Sequence, residues 1–114
     1  MILYNIDKIY NSMNIYRSIL IYNDQCYNIK QIKNLLQLNN YPVILLDSFN
    51  NYNKEDFDNF RMYIIHIKQL DNYKSLLDSN TISAFLCMND DDYNFICDYI
   101  PKVKIYDKVL IFKI

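Results

Sequence analysis

The stretches 18–24 (SILIYND) and 82–90 (ISAFLCMND) decide the fold of this chain. Each holds a short apolar run, Ser18–Tyr22 in the first and Ile82–Met88 in the second, and each closes on Asn-Asp. Short, continuous apolar runs are typical of strands that are buried on both faces of a parallel sheet. We therefore predict a strand in each run, with Asp24 and Asp90 just beyond the carboxyl ends of these strands.

Similar apolar runs recur along the chain, with starts roughly 20 residues apart, about the length of a compact strand–helix unit. The other runs are Met1–Asn5, Pro42–Asp47, Met62–Ile67 and Val103–Ile114. This repeated order predicts one α/β domain over residues 1–114: a three-layer, mostly parallel sheet of about five or six strands with short helices on both faces, in a flavodoxin-, Rossmann- or thioredoxin-like topology. A short leucine-rich-repeat-type solenoid is the alternative that the same spacing allows.

The segments between the runs carry apolar residues at helical spacing. The predicted helices are Asn28–Asn39, Asp71–Ser79 and Asp91–Ile100, the last with Asp90 as its cap and an end before Pro101. Residues 53–70 fit either one long helix or a helix that begins at Asn53 and precedes a strand over Met62–Ile67. We expect the last run to be an edge strand or a hairpin, with lysines that guard its free edge.

The composition excludes several nucleotide-binding and catalytic motifs. The chain has no glycine, so it forms neither a Walker A loop nor a GxGxxG turn, and the GxSxG nucleophile elbow is absent. Asparagine and aspartate are expected to take the tight turns, for example at Asn39-Asn40 and Asn50-Asn51, because they tolerate positive φ best after glycine. The 18 isoleucines, 16 asparagines and 12 tyrosines have AT-rich codons, which indicates an AT-rich genome such as that of a virus.

The charge balance and the cysteines indicate the setting of the chain. With 12 basic and 13 acidic residues, the net charge of −1 does not favour a nucleic-acid partner, although a small basic patch is formed by Lys102, Lys104 and Lys108 with Tyr106. No apolar run is long enough to span a membrane, and the first residues lack the basic region and following apolar stretch that indicate a secretory signal, so we do not expect one. Three cysteines without a local ligand pair do not predict a zinc site, and their odd number predicts a reducing, intracellular compartment.

Three aspartates at predicted strand ends form the first candidate site. Asp24, Asp47 and Asp90 each follow an apolar run, and ligands bind outside the carboxyl ends of strands in open parallel sheets. Gathered there, the three carboxylates are suited to hold Mg²⁺ and to activate water for phosphoester hydrolysis. Aspartate is also a preferred helix cap, so a structural role is the competing interpretation.

Cys26 is the second candidate, because it lies between the strand Ser18–Tyr22 and the helix Asn28–Asn39, where helix N–H groups lower a thiol pKa. Residues 18–60, with PVILLD and NKEDF after this helix, resemble the first half of glutaredoxin-like proteins. The resemblance implies a thiol redox site at Cys26. Ile29 stands where the family has its second motif cysteine, and Ser83 is nearest to the family's cis-proline, so the implied activity is that of a monothiol protein.

We predict a non-enzymatic protein–protein interaction module or assembly subunit, without a cofactor. His66, the single histidine, lies within an apolar run, which indicates a core or sheet-surface residue rather than a base. A tyrosine-rich surface of low net charge favours association with other proteins, and self-association through the edge of the last strand is one specific form. The Mg²⁺-dependent hydrolase and the monothiol protein are the alternatives.

Overall fold

A computed structural model of the protein describes residues 2–26, 28–46, 60–104 and 109–114, with side chains from residue 7 onwards. The strands are β1 (Ser18–Tyr22), β2 (Val43–Leu46), β3 (Met62–His66), β4 (Ala84–Cys87) and β5 (Leu110–Lys113). The helices are α1 (Ile2–Ile15), α2 (Ile29–Leu38), α3 (Lys74–Leu77) and α4 (Asp90–Val103), and a 3-10 helix, Ile67–Tyr73, leads into α3.

The described strands form one all-parallel sheet in the order β2-β3-β1-β4-β5. Ser18, at the start of β1, lies opposite Met62 on one side and Ala84 on the other. The predicted three-layer, parallel α/β fold is confirmed, and the sheet is of the doubly wound kind rather than the thioredoxin-like kind, whose sheet is mixed. Relative to the 3-2-1-4-5-6 order of Rossmann folds, the positions of β2 and β3 are exchanged.

Helices cover both faces of the sheet, and an apolar core lies under each helical layer. The core between the sheet and the pair α1 and α2 contains Ile9, Met13, Leu20, Ile32, Leu36 and Leu86. The core between the sheet and the pair α3 and α4 contains Ile19, Ile21, Leu76, Phe85, Ile96 and Ile100. Alternate residues of β1 therefore face opposite cores, which explains why its apolar run is continuous.

The N-terminal apolar run is not a strand. The prediction of a strand over Met1–Asn5 is wrong, because residues 2–5 belong to α1, which continues to Ile15. Ile9 and Met13, four residues apart, are both buried against the sheet, and this is the helical period rather than the alternating period of a strand. Five residues are too short a window to show that period.

Strand pairing decides between the remaining alternatives. Met62–His66 is a strand, so one long helix over residues 53–70 is wrong; the helix predicted to begin at Asn53 starts outside the described residues. The last run contributes the outer strand β5, parallel to β4, so the edge-strand alternative is the one that the structure shows, while Val103 belongs to α4. The solenoid is wrong, because β1 lies between β3 and β4 rather than beside β2.

Helix α4 begins and ends differently from the prediction. Its cap is Asn89, whose Oδ1 accepts from the backbone N–H of Asp92 at 2.8 Å, and Asp90 is its first residue rather than its cap. The helix continues past Pro101, so the predicted end before this proline is wrong. A proline removes the one N–H that would bond to the carbonyl four residues back, and Pro101 lies so near the end of α4 that only Lys102 and Val103 follow it in the helix.

Two shorter segments complete the comparison with the predicted elements. The helix predicted over Asp71–Ser79 is instead the end of the 3-10 helix followed by α3. After α2, Asn40 has a φ of 62°, in the left-handed region that glycine usually occupies, so asparagine takes this tight turn as predicted. The turn predicted at Asn50-Asn51 lies outside the described residues. None of the helices described for this chain has the length and apolarity that crossing a membrane requires.

Ser18 provides a test of the packing at the start of β1. Its side chain is fully buried, and its hydroxyl has no hydrogen-bond partner among the described residues. A buried hydroxyl without a partner costs about 1–3 kcal/mol, so Ser18→Ala should raise the free energy of unfolding by about 1 kcal/mol. Urea unfolding measures the change, with Ser75→Ala at an exposed position of α3 as the control. A clear loss of stability in the Ser18 variant alone would show that its hydroxyl is bonded.

Candidate functional site

The carboxyl ends of the described strands lie at one edge of the sheet, because the strands are parallel. We call this the carboxyl edge. It carries the residues at and after the ends of β1, β3 and β4: Asn23, Asp24, Cys26, His66, Lys68, Met88, Asn89, Asp90 and Asp92. Sequence reasoning selected Asp24, Cys26 and Asp90 from this set, and the contacts of each decide what chemistry the edge supports.

Asp24 is held by two basic side chains from the end of β3. His66 Nε2 lies 2.7 Å from Asp24 Oδ1, and Lys68 Nζ donates to Asp24 Oδ2 at 3.1 Å. The hydrogen bond from His66, followed by the contacts with Lys68, holds the pKa of Asp24 below its ordinary value of 3.8. The Asp24 carboxylate therefore stays ionised and joins β1 to β3 at the exposed surface.

His66 uses both ring nitrogens within the fold. Its Nδ1 accepts from the backbone N–H of Lys68 at 3.0 Å, as the cap of the 3-10 helix. Because Nδ1 is an acceptor, the ring proton is on Nε2, which donates to Asp24. The ring also packs edge-on against Tyr22, with centroids 5.0 Å apart. A histidine with both nitrogens engaged has no lone pair to offer as a general base, in keeping with the predicted structural role.

Asp90 and Asp92, in the first turn of α4, have different partners. Lys113 Nζ of β5 lies 2.6 Å from Asp90 Oδ1, and this contact raises the pKa of Lys113. Asp92 is only 3% exposed, and Asn23 Nδ2 donates to both of its carboxylate oxygens at 3.1 Å. The amide of Asn23 thus ties the end of β1 to the start of α4.

The three predicted metal ligands are not shown together. Asp24 pairs with His66 and Lys68, Asp90 pairs with Lys113, and Asp47 lies outside the described residues. Within the described part of the chain, no three His, Cys, Asp or Glu side chains are grouped as metal ligands would be. The Mg²⁺-dependent hydrolase therefore stays a prediction, with two of its three carboxylates neutralised by basic side chains.

The environment of Cys26 opposes the reactive thiolate that the sequence predicts. Its Sγ donates to Asn28 Oδ1 at 3.1 Å and lies 3.8 Å from Met88 Sδ. Burial raises the pKa of Cys26, and the negative charge of Asp92 adds to this, against a smaller lowering by a backbone hydrogen bond at Asn28. The backbone at Asn28, just before the helix begins at Ile29, offsets only part of the effect of burial. The direction of the shift is opposite to the one that a redox thiol needs.

The basic patch predicted near the end of the chain is weaker than its sequence indicates. Lys104 is buried, and its Nζ donates to Ser79 O at 2.7 Å. This ammonium group is therefore not displayed at the surface, where it could bind the phosphates of a nucleic acid. Lys102 is exposed on α4, whereas Tyr106 and Lys108 lie outside the described residues.

A second candidate site is an apolar groove of about 430 Å³ between α1 and β5. Its lining is Lys8, Asn11, Ser12, Ile15, Tyr16, Leu86, Phe112, Lys113 and Ile114. Ile15, the last residue of α1, is 69% exposed, and Leu110 on the adjacent strand is 44% exposed. The rings of Tyr16 and Phe112, with centroids 5.7 Å apart, connect the helix to the strand. We call this surface the α1–β5 groove.

Comparison with known proteins adds no family to these observations: no family model matches the chain, and no curated protein or solved structure is significantly similar to it.

Sequence reasoning named His66 but not its contact with Asp24, and it missed Lys68 and Ile15. His66 and Lys68 meet Asp24 because β3 lies beside β1, and only long-range strand pairing decides that order. Ile15 was missed together with α1, since its exposure depends on which side of the helix faces the sheet. The spacing of Ile9 and Met13 is the sequence signal that would have revealed the helix.

Asp24→Asn should reduce stability at neutral pH but not in strong acid. Because the folded pKa of Asp24 is lowered, its contribution is present above the unfolded value near 3.8 and is lost as the pH falls through the folded value. Urea unfolding of both chains over a pH series measures the gap between them, which should close below pH 3.8. Asp98→Asn, exposed on α4, controls for the loss of one negative charge. A gap that stays constant into acid contradicts the pairing of Asp24.

Cys26 should react slowly with iodoacetamide. The thiolate is the reacting species, and burial of Cys26 raises its pKa, so labelling at neutral pH should be slower than that of glutathione in the same solution. Mass spectrometry of the Cys26 peptide separates this signal from Cys87 and Cys97. Labelling near pH 6 that outpaces glutathione would restore the monothiol alternative.

Proposed function

We propose that this domain is a non-enzymatic protein-interaction module that binds a protein partner at β5 and the α1–β5 groove. The observation that carries the proposal is an apolar groove beside an outer strand that, in the described part of the chain, is paired on one side only. Such an edge accepts an extended segment of another chain, whose backbone supplies hydrogen bonds and whose alternate side chains enter the groove.

The free side of β5 is the backbone part of this surface. Among the described residues, β5 is paired with β4 alone and occupies the end of the sheet. An outer strand presents a row of backbone donors and acceptors, which natural proteins cover, shorten or protect with charge. Lys113 is the charged residue of β5, and it is already engaged by Asp90. The edge is therefore weakly protected, which favours pairing with another chain.

The groove supplies the apolar part of the surface. Ile15 and Leu110 are large apolar side chains with much of their surface in water. Burial of such a side chain in a complex stabilises it by roughly 1.5–3 kcal/mol. Ile15 lines the groove and Leu110 lies on the strand that borders it, so exposed apolar surface at both indicates binding, whereas a single exposed residue such as Leu38 on α2 is ordinary.

The tyrosines contribute less to this surface than the composition indicates. Every tyrosine whose side chain is described is buried or half-buried. Tyr10 stacks on Tyr41 with ring centroids 4.9 Å apart, and the Tyr99 hydroxyl donates to Asp71 Oδ1 at 2.5 Å. The proposal therefore depends on Ile15, Leu110 and the strand edge rather than on an aromatic surface.

The polar residues of the carboxyl edge support a non-catalytic role. Asp24 and Asp90 are paired with basic groups, both nitrogens of His66 are bonded, and the pKa of Cys26 is raised. Each of these groups thus serves the contacts between strands and helices. Asp47, the remaining candidate, lies outside the described residues.

We also propose a reducing, intracellular setting and an AT-rich, virus-like genome. Cys26, Cys87 and Cys97 are free thiols that are buried or half-buried, and burial raises the pKa of Cys87 to about 12. Free cysteines persist where thiols are kept reduced. The codon argument for the genome comes from composition alone.

Ile15→Lys should weaken binding, while Leu38→Lys should not. Both residues end their helices and are exposed, at 69% and 79%, so the two substitutions are matched in helix position and in charge. Loss of the Ile15 contact should weaken the complex at least about tenfold, given roughly 1.4 kcal/mol per factor of ten. The measurements are sedimentation of the purified chain and stoichiometric co-purification from the source cells. A chain that stays monomeric at high micromolar concentration and retains no stoichiometric partner contradicts the proposal, as does equal weakening by both substitutions.

A further inference from the structure

We infer that the partner is a second copy of this chain, and that the two β5 strands pair antiparallel about a two-fold axis at Ile111. This inference rests on the proposed function and names its partner. The two five-stranded sheets would join into one continuous sheet across the axis. The backbone, the side chains and the charges of residues 109–114 each support this occupant.

The backbone of β5 already presents the required groups. Leu110 N–H donates to Ser83 O at 3.1 Å and Ile114 N–H donates to Cys87 O at 2.9 Å, so these residues point their backbone groups at β4. The backbone groups of successive residues point to opposite sides of a strand. Those of Val109, Ile111 and Lys113 therefore point away from β4, in the plane of the sheet. In an antiparallel pair with Ile111 opposite Ile111 of the second copy, Val109 lies opposite Lys113. Both kinds of pair are then hydrogen-bonded pairs, in which the two facing residues exchange N–H···O bonds.

The same register matches the side chains. Phe112 lines the α1–β5 groove, and Leu110 lies on the same face of β5 because it is two residues away. In this register Leu110 of one copy is directly opposite Phe112 of the other, in the non-hydrogen-bonded pairs where side chains approach most closely. The groove needs an extended segment with apolar residues at every second position, and β5 itself has that pattern.

The charges allow two copies to approach at this edge. Lys113 is the single charged residue of the segment 109–114, and its Nζ is 2.6 Å from Asp90 Oδ1. Opposite Val109, it does not face the lysine of the other copy, so no like charges oppose each other across the strands. The net charge of −1 per chain adds little repulsion.

Pairing of β5 with itself closes the assembly. A two-fold contact uses the same surface on both copies, and each copy has one β5 edge, so the contact ends at a dimer. The β5 strand of the second copy would cover the exposed edge, so a different protein is not needed for this. A covered outer strand can no longer pair with further chains, and open-ended aggregation is prevented.

The first test removes an outward donor and leaves the fold in place. Ile111→Pro deletes an N–H that points away from β4, and proline is tolerated on edge strands at such positions. Sedimentation of the full chain should show a dimer for the wild type and a dissociation constant at least about tenfold higher for the variant. Circular dichroism and thermal unfolding confirm that the variant is folded. A variant that dimerises like the wild type overturns the inference.

The second test needs no proline and reads the register. Leu110→Cys and Phe112→Cys chains are prepared separately, mixed and oxidised, and the linked peptides are identified by mass spectrometry to separate them from native cysteines. Facing residues of a non-hydrogen-bonded pair have Cα atoms about 4.5 Å apart, within the range for a disulfide. The mixture should form disulfides between position 110 of one chain and position 112 of the other. Neither chain alone should link to a second copy of itself through its new cysteine. Self-linkage of the Phe112→Cys chain overturns the assigned register, and absence of all such links overturns the pairing.

The two proposals fail in different ways. A wild-type chain that is monomeric, yet binds another protein in a manner that Ile15→Lys abolishes, would overturn the self-pairing and leave the interaction module standing. A dimer that survives both Ile15→Lys and Ile111→Pro would overturn both, because its interface would lie elsewhere.

Discussion

The structure depends on parallel backbone pairing of β1 with β3 on one side and β4 on the other. Ile19, Leu20 and Ile21 have no exposed surface, and they alternate between two cores. A strand that is apolar on both faces needs helices on both faces, and parallel neighbours then need crossovers over the sheet. Because the described strands are parallel, their carboxyl ends gather at one edge of the sheet.

The polar residues of the carboxyl edge secure this arrangement. Asp24 joins β1 to β3, Asn23 joins β1 to α4 through the buried Asp92, and Asp90 joins α4 to β5 through Lys113. Exposed ion pairs contribute little to the free energy of unfolding, so the main effect of the Asp24 and Asp90 pairs is to fix which elements meet. The buried amide–carboxylate contact has more weight, because a buried carboxylate without donors is costly. Asp24 and Asp90, two of the three carboxylates that the sequence selects as metal ligands, thus make contacts between neighbouring elements of the sheet.

The sequence predicted the fold class well because the decisive signal is local. Continuous apolar runs such as Ser18–Tyr22 mark buried parallel strands, and the apolar stripe of α2 marks a helix. Met1–Asn5 was misread because a short apolar run shows no period, and Pro101 because a proline near a helix end does not always stop it. Strand order was not predictable, since it depends on pairing between distant segments. The contact of Asp24 with His66 and the outer position of β5 both depend on strand order. Neither could therefore be predicted from the sequence.

Amide hydrogen exchange along residues 109–114, followed by NMR at increasing protein concentration, tests the central claim most directly. Among the residues that the structure describes, β5 is bonded to β4 on one side only, so amide protection should alternate along it. The amides of Leu110 and Ile114 should be protected at every concentration, whereas those of Ile111 and Lys113 should exchange fast in dilute solution and become protected as the chains associate. Protection of Ile111 and Lys113 that is already complete in dilute monomer, or that never changes with concentration, would contradict an open edge that binds a partner.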